Sequence, residues 1–168
     1  MLHMIWPTPR GWAIGIGGVI WLLVAMINHT LFALLFAWAA LALALVSFCC
    51  ALFSLHGLRI SRAPASDACV GQMLSLPLQI ENSRWRRRQP LVVIENLPFT
   101  NDKSHYAVLP PMAGKSSRIF DRKVLAIKRG EFKLNHIILR GGDPAGLFYR
   151  ERRLKLPAAL VVYPPSEQ

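Results

Sequence analysis

The side chains that could do chemistry are few and poorly placed for it. The five histidines, His3, His29, His56, His105 and His136, are scattered along the chain. No HExxH, no CxxC and no cluster of carboxylates at metal-ligand spacing accompanies them. Asp102, Ser104 and His105 fall close together, but without the strand-turn-helix elbow and oxyanion motif that would activate a serine. The run Gly15-Ile16-Gly17-Gly18 lacks the lysine and the preceding strand of a phosphate loop. Cys49, Cys50 and Cys69 are too few for a disulfide framework, and the adjacent pair lies in an apolar stretch where a thiol behaves as a small hydrophobe. No metal, nucleotide or flavin cofactor is expected, and no enzymatic activity.

Cations are the conspicuous polar feature. Arg84, Trp85, Arg86, Arg87 and Arg88 are consecutive, and a second cluster holds Arg150, Arg152, Arg153 and Lys155 with only Glu151 to offset it. The first lies between two expected strands and reads as a hairpin tip, the second as a loop. Both are candidate contacts for anionic lipid headgroups or an acidic protein surface, with plainly solvated loops as the alternative. Nucleic acid, the other common partner of such patches, is not the expected one.

The chain that positions these groups is divided sharply in two. Of 168 residues, 53% are hydrophobic and 17% charged, with a net charge of +11. Yet Gly11 to Leu58 contains no Asp, Glu, Lys or Arg, whereas the residues from Arg59 onward carry all nine acidic groups and every basic one except Arg10. So apolar a first part excludes intrinsic disorder. A single helix over that stretch would be roughly 72 Å long at about 1.5 Å per residue, more than twice the roughly 30 Å of a bilayer's hydrocarbon. It must therefore fold back, and the polar cluster Asn28-His29-Thr30 supplies the turn. The expected organisation is a flank over 1–10, a transmembrane helical hairpin over 11–58 with spans near Gly11 to Ile27 and Leu31 to Leu55, and a β-domain over 59–168.

Small residues mark a packing face between the two spans. Ala33, Ala37, Ala40, Ala44, Ser47, Ala51 and Ser54 recur at steps of four and three, and Gly11, Gly15 and Gly18 do the same on the first span. An antiparallel hairpin would set those glycines against the Ala44, Ser47 and Ala51 end of the stripe. Arg10 before the first span, Arg59 and Arg62 after the second, and no Lys or Arg between them place both ends on the cytoplasmic side. A cleaved signal peptide is the competing reading, opposed by the second long apolar segment and the lack of a small-x-small site between the two.

Beyond Arg62 the pattern becomes strand-like. Leu74, Leu76, Leu78 and Ile80 alternate with Ser75, Pro77, Gln79 and Glu81, and Pro77, lacking a ladder donor, points to an edge strand. Leu91 to Glu95, His105 to Leu109, Arg118 to Ile127, Phe132 to Leu139 and Ala159 to Tyr163 are further short runs separated by turn-like clusters. This spacing predicts an all-β, Ig-like antiparallel sandwich.

The segment Arg129-Gly130-Glu131-Phe132, then Leu134, then Asp143-Pro144-Ala145-Gly146-Leu147-Phe148, and finally Val162-Tyr163-Pro164 resembles the signature of the domain-of-unknown-function 58 family. Its members show Arg-Gly-x-Tyr, Asp-Pro-Phe-Gly-Leu-Phe and Val-Tyr-Pro in this order after two membrane spans and a β-rich region. Here Ala145 stands in place of Phe and Phe132 in place of Tyr. Longer members continue into a von Willebrand factor A-like domain, which is absent from this sequence, so the chain reads as a shortened member or a fragment of one. The resemblance implies the inner membrane of a bacterium and association with a MoxR-type AAA ATPase.

The signature also has a structural reading. Asp143-Pro144-Ala145-Gly146 has the residues of a type I turn, which Leu147 and Phe148 would anchor on the sandwich core, and Arg129 with Gly130 would pin a corner through guanidinium hydrogen bonds to loop carbonyls. Two functions follow as expectations. The cytoplasmic β-domain is a scaffold or adaptor held at the bilayer; alternatively, the chain is a subunit of an envelope-assembly or transport complex that interacts mainly through its hairpin.

Overall fold

The computed structural model describes residues 3–64, 68–101 and 104–164. In chain order the elements are β1 (His3–Pro7), α1 (Pro9–Asn28), α2 (Leu31–Phe53), β2 (Leu58–Arg62), β3 (Ala68–Cys69), β4 (Met73–Asn82), β5 (Leu91–Glu95), β6 (His105–Leu109), β7 (Ser116–Leu125), β8 (Gly130–Gly142) and β9 (Phe148–Tyr163). Two long apolar helices therefore precede a mostly antiparallel β region. The chain groups into two compact units, one of His3–His56 with Gly141–Glu151, the other of Gly57–Arg140 with the chain from Arg152 onward. A cut at residue 58 would leave Gly141–Glu151 with the β region; hydrogen bonds tie it to the helices instead.

Both helices are long and apolar enough to cross a membrane. Thr8 begins α1 as its N-cap, its hydroxyl accepting from the Gly11 amide at 3.1 Å, and Pro9 occupies the first turn, where its missing N–H costs nothing. His29, in the left-handed conformation at φ 52°, ends the helix. Thr30 takes the N-cap position of α2 through its backbone alone, its side chain making no cap bond, so the turn is tighter and less capped than Asn28-His29-Thr30 suggested. Gly18, Ala25, Ala33, Ala37, Ser47 and Ala51 are buried, while Ile16, Ile20, Trp21, Leu23, Phe32, Phe36, Trp38, Leu45 and Val46 are exposed. Each helix thus turns a stripe of small residues inward and most of its bulk outward.

In the β region a six-stranded sheet runs in the order β1-β9-β8-β5-β6 with β3 on β9, and a three-stranded sheet in the order β2-β4-β7. Leu74, Leu76, Leu78 and Ile80 are all buried, as their alternation requires. Strand β4 is not at an edge, however, since it pairs with both β2 and β7. Pro77 is tolerated because its carbonyl faces the β2 side, where it accepts from the Ala63 amide at 3.2 Å just past the end of β2; the missing donor falls where the ladder is already ending. One core cluster draws on both sheets: Leu74 and Leu76 of β4, Val124 of β7, Leu134 of β8, and Leu160 and Val162 of β9. Phe99, from what reads in sequence as a turn, is wholly buried in this cluster with its ring 5.6 Å from that of Phe132, and burying such a side chain is worth about 2–3 kcal/mol.

Candidate functional site

The Arg84 to Arg88 segment is not a hairpin tip. It connects β4 to β5, which lie in different sheets. Its shape is set by Asn82, the last residue of β4 and completely buried. The Asn82 amide nitrogen donates to the carbonyls of Arg86 at 3.0 Å and Ala113 at 2.9 Å, and its oxygen accepts from the Arg84 amide at 3.2 Å and from Arg88 Nε at 3.3 Å. All of its hydrogen-bonding capacity is engaged. The facing loop is drawn in by the reciprocal backbone pair of Arg88 and Met112 and by the Lys115 amide donating to the Arg84 carbonyl. At Gly114 a Cβ would collide with the Trp85 backbone, so glycine is required there.

This clamp holds Trp85 80% exposed, with Lys115 Nζ 3.8 Å from the ring centroid in a cation–π contact. Arg84, Arg86, Arg87 and Lys115 are exposed around it. Arg88 is partly covered, and burial together with the neighbouring charges of Arg84 and Arg86 lowers its pKa; an arginine so placed is still a cation at neutral pH. The ion pairs to Glu95 are made elsewhere, by Arg62 and Arg122.

The second basic cluster is not a loop either. Arg150, Arg152, Arg153 and Lys155 lie in the first half of β9, which extends well upstream of the expected Ala159 to Tyr163. Arg153 and Lys155 are exposed, whereas Arg150 and Arg152 are partly covered. Arg150 Nη1 donates to the carbonyl of Leu52 in the last turn of α2. That is a helix C-terminal capping role, placing a cation at the negative end of the helix dipole.

The signature turn forms at the same end of the hairpin, against the start of α1 and the last turns of α2. Asp143 accepts from the amides of Ala145 at 2.9 Å and Phe148 at 2.7 Å, and its own carbonyl accepts from the Gly146 amide at 3.1 Å. Pro144 follows it, and Gly146 adopts φ +69°, a conformation suited to glycine. Leu147 and Phe148 anchor this turn on the helical unit rather than on the β core: Phe148 meets the Phe48 ring of α2 edge-on at 5.6 Å, and the Thr8 hydroxyl donates to the carbonyl of Gly146 at 2.8 Å. The Thr8 amide donates to the Leu147 carbonyl at 2.8 Å. Arg129 is exposed and its guanidinium pins no corner among the described residues; the bend into β8 is made by Gly130 at φ +140°. Asp102 lies outside the described residues.

The small-residue stripe is placed in part. Gly18 sits where a Cβ would lie 3.2 Å from Leu41 and 3.4 Å from Ala40, and Ser47 and Ala51 are buried. Gly15 is only half-covered with open space about it, and Ala44 is half-covered. Gly11 is buried, and the Leu147 carbonyl of the signature turn is the group nearest to it.

One constellation escaped the reading of the sequence. Glu95 of β5 is buried between Arg62 of β2 and Arg122 of β7, with Arg62 Nη2 at 2.5 Å from one carboxylate oxygen and Arg122 Nη2 at 2.7 Å from the other. Nε and Nη1 of both arginines are buried without a hydrogen-bond partner among the described residues. The signal was present in the phase: Leu58-Ile60-Arg62, Leu91-Val93-Glu95 and Arg122-Val124 each carry a charge on the inward side of a strand.

No family model and no curated protein matches the chain. Among solved structures it is similar to a β-glucosidase from Listeria innocua in complex with gluconolactone, at 5% identity and a TM-score of 0.36 over 64% of this chain and 16% of that one. It is also similar to the Pseudomonas fluorescens alkylpurine DNA glycosylase AlkC bound to DNA containing an abasic site analog, at 12% identity and a TM-score of 0.33 over 78% and 38%. The chain thus spans well under half of either protein, and similarity at this level carries no functional argument.

Proposed function

We propose that this chain is a non-enzymatic, two-span integral membrane protein whose β-domain, an Ig-like sandwich, acts as a cytoplasmic scaffold or adaptor. The observation that carries this is the outward face of the helices. Trp12, Ile16, Ile20, Leu23 and Ile27 on α1, and Phe32, Phe36, Leu45, Val46 and Phe53 on α2, are exposed on elements long enough to span. In water such surface costs about 25 cal/mol per Å², and a hydrocarbon environment removes that cost. The sharing of one core by both sheets supports a sandwich, and Arg10 and Arg59 flanking an uncharged hairpin support cytoplasmic ends.

The membrane reading predicts that the chain stays in the membrane pellet through alkaline carbonate extraction and is released only by detergent; release by carbonate overturns it. The signature resemblance supports an adaptor role towards a MoxR-type AAA ATPase in a bacterial inner membrane. A mild-detergent pull-down tests that role, using the native chain and one whose hairpin is replaced by an unrelated two-span anchor. Recovery of such an ATPase with both forms supports the adaptor. Recovery with the native hairpin alone transfers the interaction to the hairpin, as in an envelope-assembly or transport subunit.

A further inference from the structure

We propose that the clamped loop of Arg84, Trp85, Arg86 and Arg87, with Lys115 beside it, is a docking surface for anionic phospholipid headgroups. The inference rests on the membrane-spanning reading of the two helices and adds to it a specific lipid contact.

Three observations converge. The first is rigidity: Asn82 with its four bonds, the Arg88–Met112 bridge and the close approach of Gly114 fix the loop in one shape, so its backbone needs little further ordering on binding. The second is chemistry: an indole open to solvent carries the Lys115 ammonium over its face and is flanked in the chain by Arg84, Arg86 and Arg87, cations that form no ion pair among the described residues. Tryptophan is a residue of the headgroup level, and basic side chains near an anionic surface are each drawn to it.

The third is the tether. The Ser83 amide and hydroxyl both donate to the Gly57 carbonyl, at 3.0 and 2.7 Å, and a Cβ on Gly57 would lie 2.7 Å from Arg84 Cγ. The loop is thus fastened to a residue only four positions beyond Phe53, the last of α2. Four residues of chain reach at most about 14 Å. If α2 ends at the interface, headgroups are the anions present at high effective concentration around this loop, whereas a soluble polyanion would have to reach it by diffusion.

Hydrogen–deuterium exchange of the full chain in nanodiscs tests the proposal, comparing phosphatidylcholine alone with equal parts of phosphatidylcholine and phosphatidylglycerol. Exchange at residues 83–88 and 113–116 should slow by about fivefold or more with the anionic lipid, the factor that corresponds to about 1 kcal/mol from one basic residue at such a surface. High salt should reverse the protection. The variant R86Q/R87Q, altered at exposed side chains outside the clamp, should lose most of it while its other segments exchange as before. Equal exchange in the two discs, from a chain that enters both, overturns the headgroup site and leaves the spanning reading intact. Failure to enter either disc overturns both. Protection by an added oligonucleotide in neutral discs, with none from phosphatidylglycerol, would assign the surface to nucleic acid instead.

Discussion

The Glu95 carboxylate is shared by the two buried guanidiniums of Arg62 and Arg122. Replacing it by Gln leaves two positive charges facing each other in the interior. Breaking a buried ion pair in this way costs about 3–5 kcal/mol, so Glu95→Gln should lower the thermal midpoint of the full chain in detergent markedly, as read by circular dichroism of the β region. The combined replacement of Arg62 and Arg122 by Met and Glu95 by Leu should recover most of that loss, because an apolar cluster needs no partners. A Glu95→Gln variant as stable as the parent would show that the cluster is hydrated and not a dry triad. This site was half legible: each charge sits in the inward phase of its own strand, but only the pairing of the sheets shows that the three phases meet. Asn82 was less legible still, since nothing adjacent to it indicates that Ala113 will accept one of its bonds.

The elements divide between those with a local signature and those made by distant neighbours. The two helices, β4, β5 and β6 follow from hydrophobic period and turn residues, and the inward stripe from Ala33 to Ala51 follows from helical spacing alone. β1 and the first half of β9 have no comparable pattern; Arg150 to Lys155 is extended because adjacent strands and the α2 terminus hold it there. Gly11 shows the same limit. Its GxxxG spacing with Gly15 points to a helix partner, yet the residue it must accommodate is Leu147, far away in sequence. The two glycines should therefore respond oppositely to alanine. Gly11→Ala drives a methyl into the Leu147 carbonyl and disturbs both the Thr8 cap and the turn, with an expected loss of about 2 kcal/mol or more, of which cap disruption alone accounts for about 1. Gly15→Ala meets open space and should gain about 0.5–1 kcal/mol from helix propensity. Unfolding of both variants in detergent checks the pair; equal responses would mean that Gly11 does not contact the turn.

At the scale of the whole molecule, the charge asymmetry seen in composition acquires a directional consequence. Nineteen basic and nine acidic residues follow Leu58, a balance of +10 by subtraction of Arg10 from the total of 20 Lys and Arg. By the positive-inside rule, Arg59 and Arg62 directly after an uncharged hairpin predict that the β-domain stays on the side where Arg10 also lies. Part of this charge is used internally, Arg62 and Arg122 on Glu95 and Arg150 on the end of α2, so the exposed excess is concentrated in fewer groups than the net charge implies. Sidedness can be read from the cysteines. Cys49 and Cys50 are exposed on α2, in its last turns, and Cys69 is half-buried in β3. In a C49A/C50A variant, a membrane-impermeant maleimide should leave Cys69 unlabelled in intact cells and label it in inside-out vesicles, with detergent-permeabilised cells fixing the full extent of reaction. Prompt labelling in intact cells would place the β-domain outside the cytoplasm. In that event the flanking arginines would not have set the topology, and the cleaved-signal reading of the first apolar segment would have to be taken up again.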